Sequence, residues 1–190
     1  MGVDDKQVRI NTDYIEQLGL QDEPGFIAAR DKLLEKFKDR DFGRKVAIHE
    51  AAHAVFMEEM GVSNVELLDA EVDYDAERMK FTPLGPSVYG PIPLATSVDA
   101  ARILAEAEVA CAGGVAVRMF CGAASVGDAI DYRRFEERIQ SSIAGQMLRL
   151  DPAEVWKRAQ ASVDAKLGDE QFAARVRTKA DQYFEQMYET

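Results

Sequence analysis

A chain of 190 residues, 47% hydrophobic and 30% charged, holds enough apolar material for a core of its own and needs no disulfide or metal scaffold merely to fold. Its 34 acidic residues outnumber 23 basic ones, for a net charge of −11, and no basic stripe runs along it, which argues against a nucleic-acid partner. Met1 to Lys6 lack the apolar centre of a signal peptide, and no apolar run approaches the ~18 residues of a membrane span, so the expectation is a cytoplasmic protein with no membrane insertion.

Residues 1–40 are polar, with a helical pattern over 25–40 (Phe26, Ile27, Leu33, Leu34, Phe37), and read as an N-terminal helical extension. A second helix is predicted over 42–60, with Gly61 placed to end it. Residues 62–96 change character. The run 65–72 has strand character, 79–82 a weaker form of it, and Pro83, Gly85, Pro86, Gly90, Pro91 and Pro93 then predict a long irregular loop.

From Val98 to Phe120 an alanine-rich apolar helix is expected, interrupted by Gly113-Gly114, a pair that reads as a place where this helix approaches another closely. A glycine-bounded loop, 122–127, leads to a further helix over 128–150. Asp151-Pro152 opens a last helical pair that breaks at Gly168-Asp169 and ends near Tyr188. Trp156, Tyr183, Phe184 and Tyr188 on that pair read as core or interface residues. The fold class is therefore mainly α, with a small β insertion (62–96) inside a domain of residues 41–190 whose C-terminal helices span 151–190.

Cys111 and Cys121 lie ten residues apart on the apolar helix, about 15 Å of helical rise, against the roughly 4.4–6.8 Å between Cα atoms that a disulfide requires. They read as free thiols of a reducing compartment.

The chemistry concentrates in His49-Glu50-Ala51-Ala52-His53. On a helix, positions i and i+4 share a face one turn apart, so two imidazoles there can converge on one Zn²⁺. The glutamate between them is rotated by about 100°, which takes it off the metal and toward the adjacent water, where it serves as general base. A single histidine is usually structural. Here the chain's only two histidines both fall in the motif, on a helix otherwise apolar and small (Val46, Ala47, Ile48, Ala51, Ala52, Ala54, Val55). Burying them without a purpose is costly.

A catalytic zinc needs a third protein ligand and an open fourth position. No histidine remains, so the ligand is a carboxylate or a thiolate: Glu106, Glu108, Asp128, Asp131, or, less in keeping with protease zinc sites, Cys111 or Cys121.

The segment Val46-Ala47-Ile48-His49-Glu50-Ala51-Ala52-His53-Ala54-Val55 resembles the zinc helix of the FtsH-type proteases, with Ile48 where that family has tyrosine and Ala52 where it has glycine. Residues 113–131, Gly113-Gly114 through the loop to Asp128 and Asp131, track that family's downstream segment without a gap, and the likeness covers about 42–150. The resemblance implies an FtsH-like peptidase fold in which Asp131 is the third zinc ligand, Glu50 is the base, and peptides or unfolded proteins are cut. The same family works as rings, which leaves a homo-oligomer open. It also carries a membrane anchor and an ATPase, for which this sequence has neither an apolar span nor a Gly-x-x-x-x-Gly-Lys-Ser/Thr loop, so an ATP-independent peptidase is expected. The proline-rich stretch matches the family weakly, which puts substrate range in doubt. The alternative of another class is a zinc-binding adaptor on the same fold without proteolysis; a complete motif including Glu50 argues against it.

Overall fold

The computed structural model describes residues 6–91, 99–124 and 127–188. Val98 and part of the proline-rich loop, and Ser125-Val126 of the glycine-bounded loop, lie outside the described residues. Among those described, the chain is mainly helical, with eight helices and five short strands. In order these are β1 (Ile10–Asn11), α1 (Asp13–Gln17), α2 (Pro24–Phe37), α3 (Arg40–Glu59), β2 (Glu66–Leu68), β3 (Ala70–Asp75), β4 (Lys80–Leu84), β5 (Ser87–Tyr89), α4 (Ala100–Cys121), α5 (Asp128–Ser141), α6 (Ile143–Leu148), α7 (Pro152–Leu167) and α8 (Glu170–Tyr188). No helix among them is long and apolar enough to cross a membrane.

Helix α3 carries the histidine motif and sits at the centre, packed against α4 and α8, with α2 and β5 at its flanks. Its start is fixed by Asp39, whose carboxylate accepts hydrogen bonds from the backbone N–H of Asp41 (2.9 Å) and Phe42 (3.2 Å). Its end is fixed by Gly61 at φ +79°, where the N–H groups of Gly61 and Val62 donate to the carbonyls of Glu58 and Met57. In between, Ala47, Ala51, Ala52 and Ala54 have no exposed surface at all. Small buried residues over two turns let neighbouring backbones come close.

The expected N-terminal extension is built into the body of the protein. Val8, Ile15, Phe26, Leu33 and Phe37 share one core with Ala51, Val55, Val115, Val163 and Val176, and β1 joins the sheet, parallel to β3 with Ile10 opposite Ala70. At the other end of the chain, the Tyr188 hydroxyl donates to the Phe37 carbonyl at 3.0 Å, tying α8 back to α2.

Two small sheets stand where a single small sheet of short strands and a long loop were expected. The run 65–72 divides at Asp69: β2 pairs with β5, and β3 pairs with β1 and β4. Strand β5 lies within the stretch predicted as irregular loop. Pro83 is accommodated because β4 is an outer strand of its sheet in the order β1-β3-β4, where a missing N–H leaves no inner ladder broken. The predicted helix 128–150 is two helices. Ser142 turns extended between them, and its hydroxyl accepts from the Gly145 N–H at 2.9 Å to start α6.

Because Asp39 caps the helix that bears the motif, Asp39→Ala should lower the unfolding free energy by about 1 kcal/mol. Urea denaturation followed by circular dichroism measures this; an unchanged midpoint would mean that the cap does not set the start of α3.

Candidate metal centre

Helix α3 presents His49 and His53 on the face turned toward α4, and the start of α5 brings Asp131 in from the side. These three residues offer donor atoms that all lie within 4.8 Å of one another, a group that could hold a metal ion. The two imidazole Nε2 atoms are 2.9 Å apart. Asp131 Oδ2 is 3.2 Å from His49 Nε2 and 3.6 Å from His53 Nε2. A tetrahedral ion with bonds of about 2.0–2.1 Å holds its donors about 3.3 Å apart, and the three observed separations fall on both sides of that value. The donor set fits.

Burial makes the arrangement costly without a cation. His49 is 8% exposed, and Asp131 Oδ2 is buried with no hydrogen-bond partner among the described residues. A buried oxygen left unpaired costs about 1–3 kcal/mol, more when charged. Burial pushes the Asp131 carboxyl up, but the facing imidazoles of His49 and His53 outweigh it and hold the group well below the usual carboxylate range. Burial works against the charge on His53, yet Asp131 and Glu50 overcome it and push its pKa up to about 9.

His53 is oriented from behind. Its Nδ1 lies 2.6 Å from the Val109 carbonyl of α4; an Nδ1–H donating there leaves Nε2 to face the other two donors. Two glycines complete the cradle. A Cβ on Gly113 would come within 2.6 Å of both imidazoles, and one on Gly127 within 2.5 Å of His49. The Gly113-Gly114 pair is therefore a site of close approach, Gly113 toward α3 and Gly114 toward Asp128 of α5.

Glu50, one residue round the helix from His49, is not one of the three donors but lines the same cavity as His49 and Asp131. Its Oε2 accepts a hydrogen bond from the Val88 N–H of β5 at 2.9 Å. Burial raises its pKa above the ordinary carboxylate value, against the opposing charges of His53 and His49 and the Val88 N–H. A carboxyl with raised proton affinity beside a cleft is suited to accept and return a proton.

The other candidate ligands are brought elsewhere, and three of them lock helices together. Asp128 accepts from Arg118 of α4 at 2.7 Å, with its other oxygen over Gly114. Glu106 takes Arg102 of its own helix at 3.2 Å and Arg138 of α5 at 3.4 Å. So α5 is tied to α4 near both of its ends, which fixes where Asp131 falls. Glu108 is 9% exposed and accepts from Ser162 (2.7 Å) and Lys166 (2.6 Å) of α7. Both cysteines are free thiols: Cys111 is buried, its pKa pushed up to about 12 mainly by that burial, and Cys121 is half-buried at the helix end. Val109, Val88 and Gly127 carry roles that the sequence reading did not assign; the first two act through backbone atoms, which leave no residue-type signal.

Elemental analysis after purification in zinc should find about one equivalent in the native protein, none in Asp131→Ala, and full content in Glu106→Ala and Glu108→Ala. Metal kept by Asp131→Ala and lost from Glu106→Ala or Glu108→Ala would overturn the assignment. Thiol titration should find one reactive cysteine, Cys121, in the native state and two in denaturant; two fast native thiols would contradict the burial of Cys111. The chain matches no protein-family model, no curated protein and no solved structure, so the functional reading rests on motif and geometry.

Proposed function

We propose that the protein is a zinc-dependent peptidase, built like the peptidase part of the FtsH-type proteases, that hydrolyses peptides or unfolded proteins without nucleotide. The observation that carries this reading is the convergence of His49, His53 and Asp131 with Glu50 beside them. Two imidazoles and one carboxylate are a donor set of catalytic zinc, complete at three protein ligands with a fourth position left for reaction. Zinc bound there supplies Lewis acidity, polarising water and the carbonyl to be attacked.

The remaining work belongs to residues of the chain. His49, Asp131 and Glu50 line a cavity of about 430 Å³, room for several residues of an extended peptide. Its wall includes Pro83 to Ser87, the end of outer strand β4 and the turn after it, where an extended backbone can lie alongside. Glu50 takes a proton from water in this cavity and delivers it to the leaving amine. Its raised proton affinity favours the first transfer, and the hydrogen bond from the Val88 N–H holds its carboxylate in place.

The zinc-loaded protein should cleave an unfolded test protein, and Glu50→Gln should cut at least about 10²-fold more slowly while keeping its metal. If native protein and Glu50→Gln are both inert over a broad panel with zinc bound, the peptidase reading fails.

A further inference from the structure

The chain carries eleven more acids than bases, 34 against 23, yet the cavity over the centre is ringed by cations. Lys32, Lys36, Lys45 and Arg134 all line it, and beyond Glu50 and Asp131 of the centre itself its lining holds one acid, Glu71. Helical spacing explains the convergence. Lys45 precedes His49 by four residues on α3, and Arg134 follows Asp131 by three on α5, so each ligand-bearing helix sets a cation one turn from its ligand. Lys32 and Lys36 stand one turn apart on α2, whose Leu33 and Phe37 are buried in the core.

Several cations outside the cavity, Lys80, Lys157 and Arg158 among them, meet no carboxylate among the described residues; what distinguishes these four is that they gather around one cavity. Arg9, Arg44, Arg118, Arg138, Lys166, Arg175 and Lys179 each meet a carboxylate. Among the described residues, Lys32, Lys45 and Arg134 meet none, and the Lys36 amine lies 4.4 Å over the Phe42 ring. An acid-rich protein that keeps four cations without carboxylate partners around one cavity has a local field opposite to its overall charge.

We propose that this cavity selects acidic peptides, with Lys45 and Arg134 receiving Asp or Glu side chains close to the scissile bond and Lys32 and Lys36 receiving them further along. The proposal rests on the peptidase reading above. Leu33, Phe37, Val46, Val117 and Ile130 share the lining, so the fitting ligand alternates apolar and acidic side chains. A polyphosphate chain would meet these apolar walls with no matching surface.

Three pools of quenched-fluorescence peptides separate the outcomes: equal apolar content, with two Asp, two Asn or two Lys each. Zinc-loaded native protein should cleave the Asp pool about tenfold better than the Lys pool at low salt, mainly through KM, and the difference should shrink in 0.5 M salt. Lys45→Glu/Arg134→Glu should remove or invert the preference, and Lys45→Gln/Arg134→Gln should weaken it, with circular dichroism establishing that both fold. The same pools, labelled, are titrated by fluorescence anisotropy against zinc-loaded Glu50→Gln. Tighter binding of the Asp pool with no cleavage by native protein would end the peptidase reading and uphold acidic recognition. Cleavage without charge preference, or with preference for Lys, would overturn acidic selection and leave the peptidase reading standing. Tighter binding of a single-stranded oligonucleotide than of the Asp pool would also overturn it.

Discussion

The centre depends on how closely α4 lies against α3. Gly113 has no side chain where any Cβ would strike both imidazoles, and the alanines of α3 are fully buried over the surrounding turns. Two glycines inside a helix cost about 1 kcal/mol each relative to alanine. Gly113 permits the contact of His53 with the Val109 carbonyl at 2.6 Å, which one added methyl group would push apart, and Gly114 makes room for Asp128 of α5. The orientation of the first two donors is thus a property of backbone against backbone, with no mobile side chain in between.

The third donor is placed by core packing and by charge. Helix α5 is seated by Phe135 and Ile139 in the core and pinned to α4 by Arg118–Asp128 near its start and Arg138–Glu106 toward its end. Each pair alone is worth little at the surface, but two pairs separated along one helix fix its register. That register turns Asp131 inward, in the first turn of α5, where the helix N-terminus favours its negative charge. The buried oxygen left without a hydrogen bond is the local sign that the packed chain alone does not complete the centre.

The sequence made some of this visible and hid the rest for definable reasons. Helix α3 and the convergence of its histidines follow from four-residue spacing, and the glycine pair announced its close approach because it interrupts an otherwise strong helix. The third donor had six candidates on residue type; only the family resemblance singled out Asp131, because the helix contacts that exclude Asp128, Glu106 and Glu108 are long-range. The sheets were the hardest part. The run 65–72 looks continuous, but its halves pair with different partners, and the Arg9–Asp69 ion pair at the division spans distant segments. Strand β5 was masked by the prolines and glycines around it. The cations of the cavity sit at 32, 36, 45 and 134 on three helices, so no stretch of sequence displays them as a patch.

The most direct test of the account is X-ray absorption at the zinc edge on the purified, zinc-loaded protein. It should find one ordered zinc with two imidazole nitrogens and a carboxylate oxygen at about 2.0–2.1 Å, and no sulfur near 2.3 Å. A sulfur shell, a single imidazole, or failure of the protein to retain zinc at all would contradict a centre built from His49, His53 and Asp131.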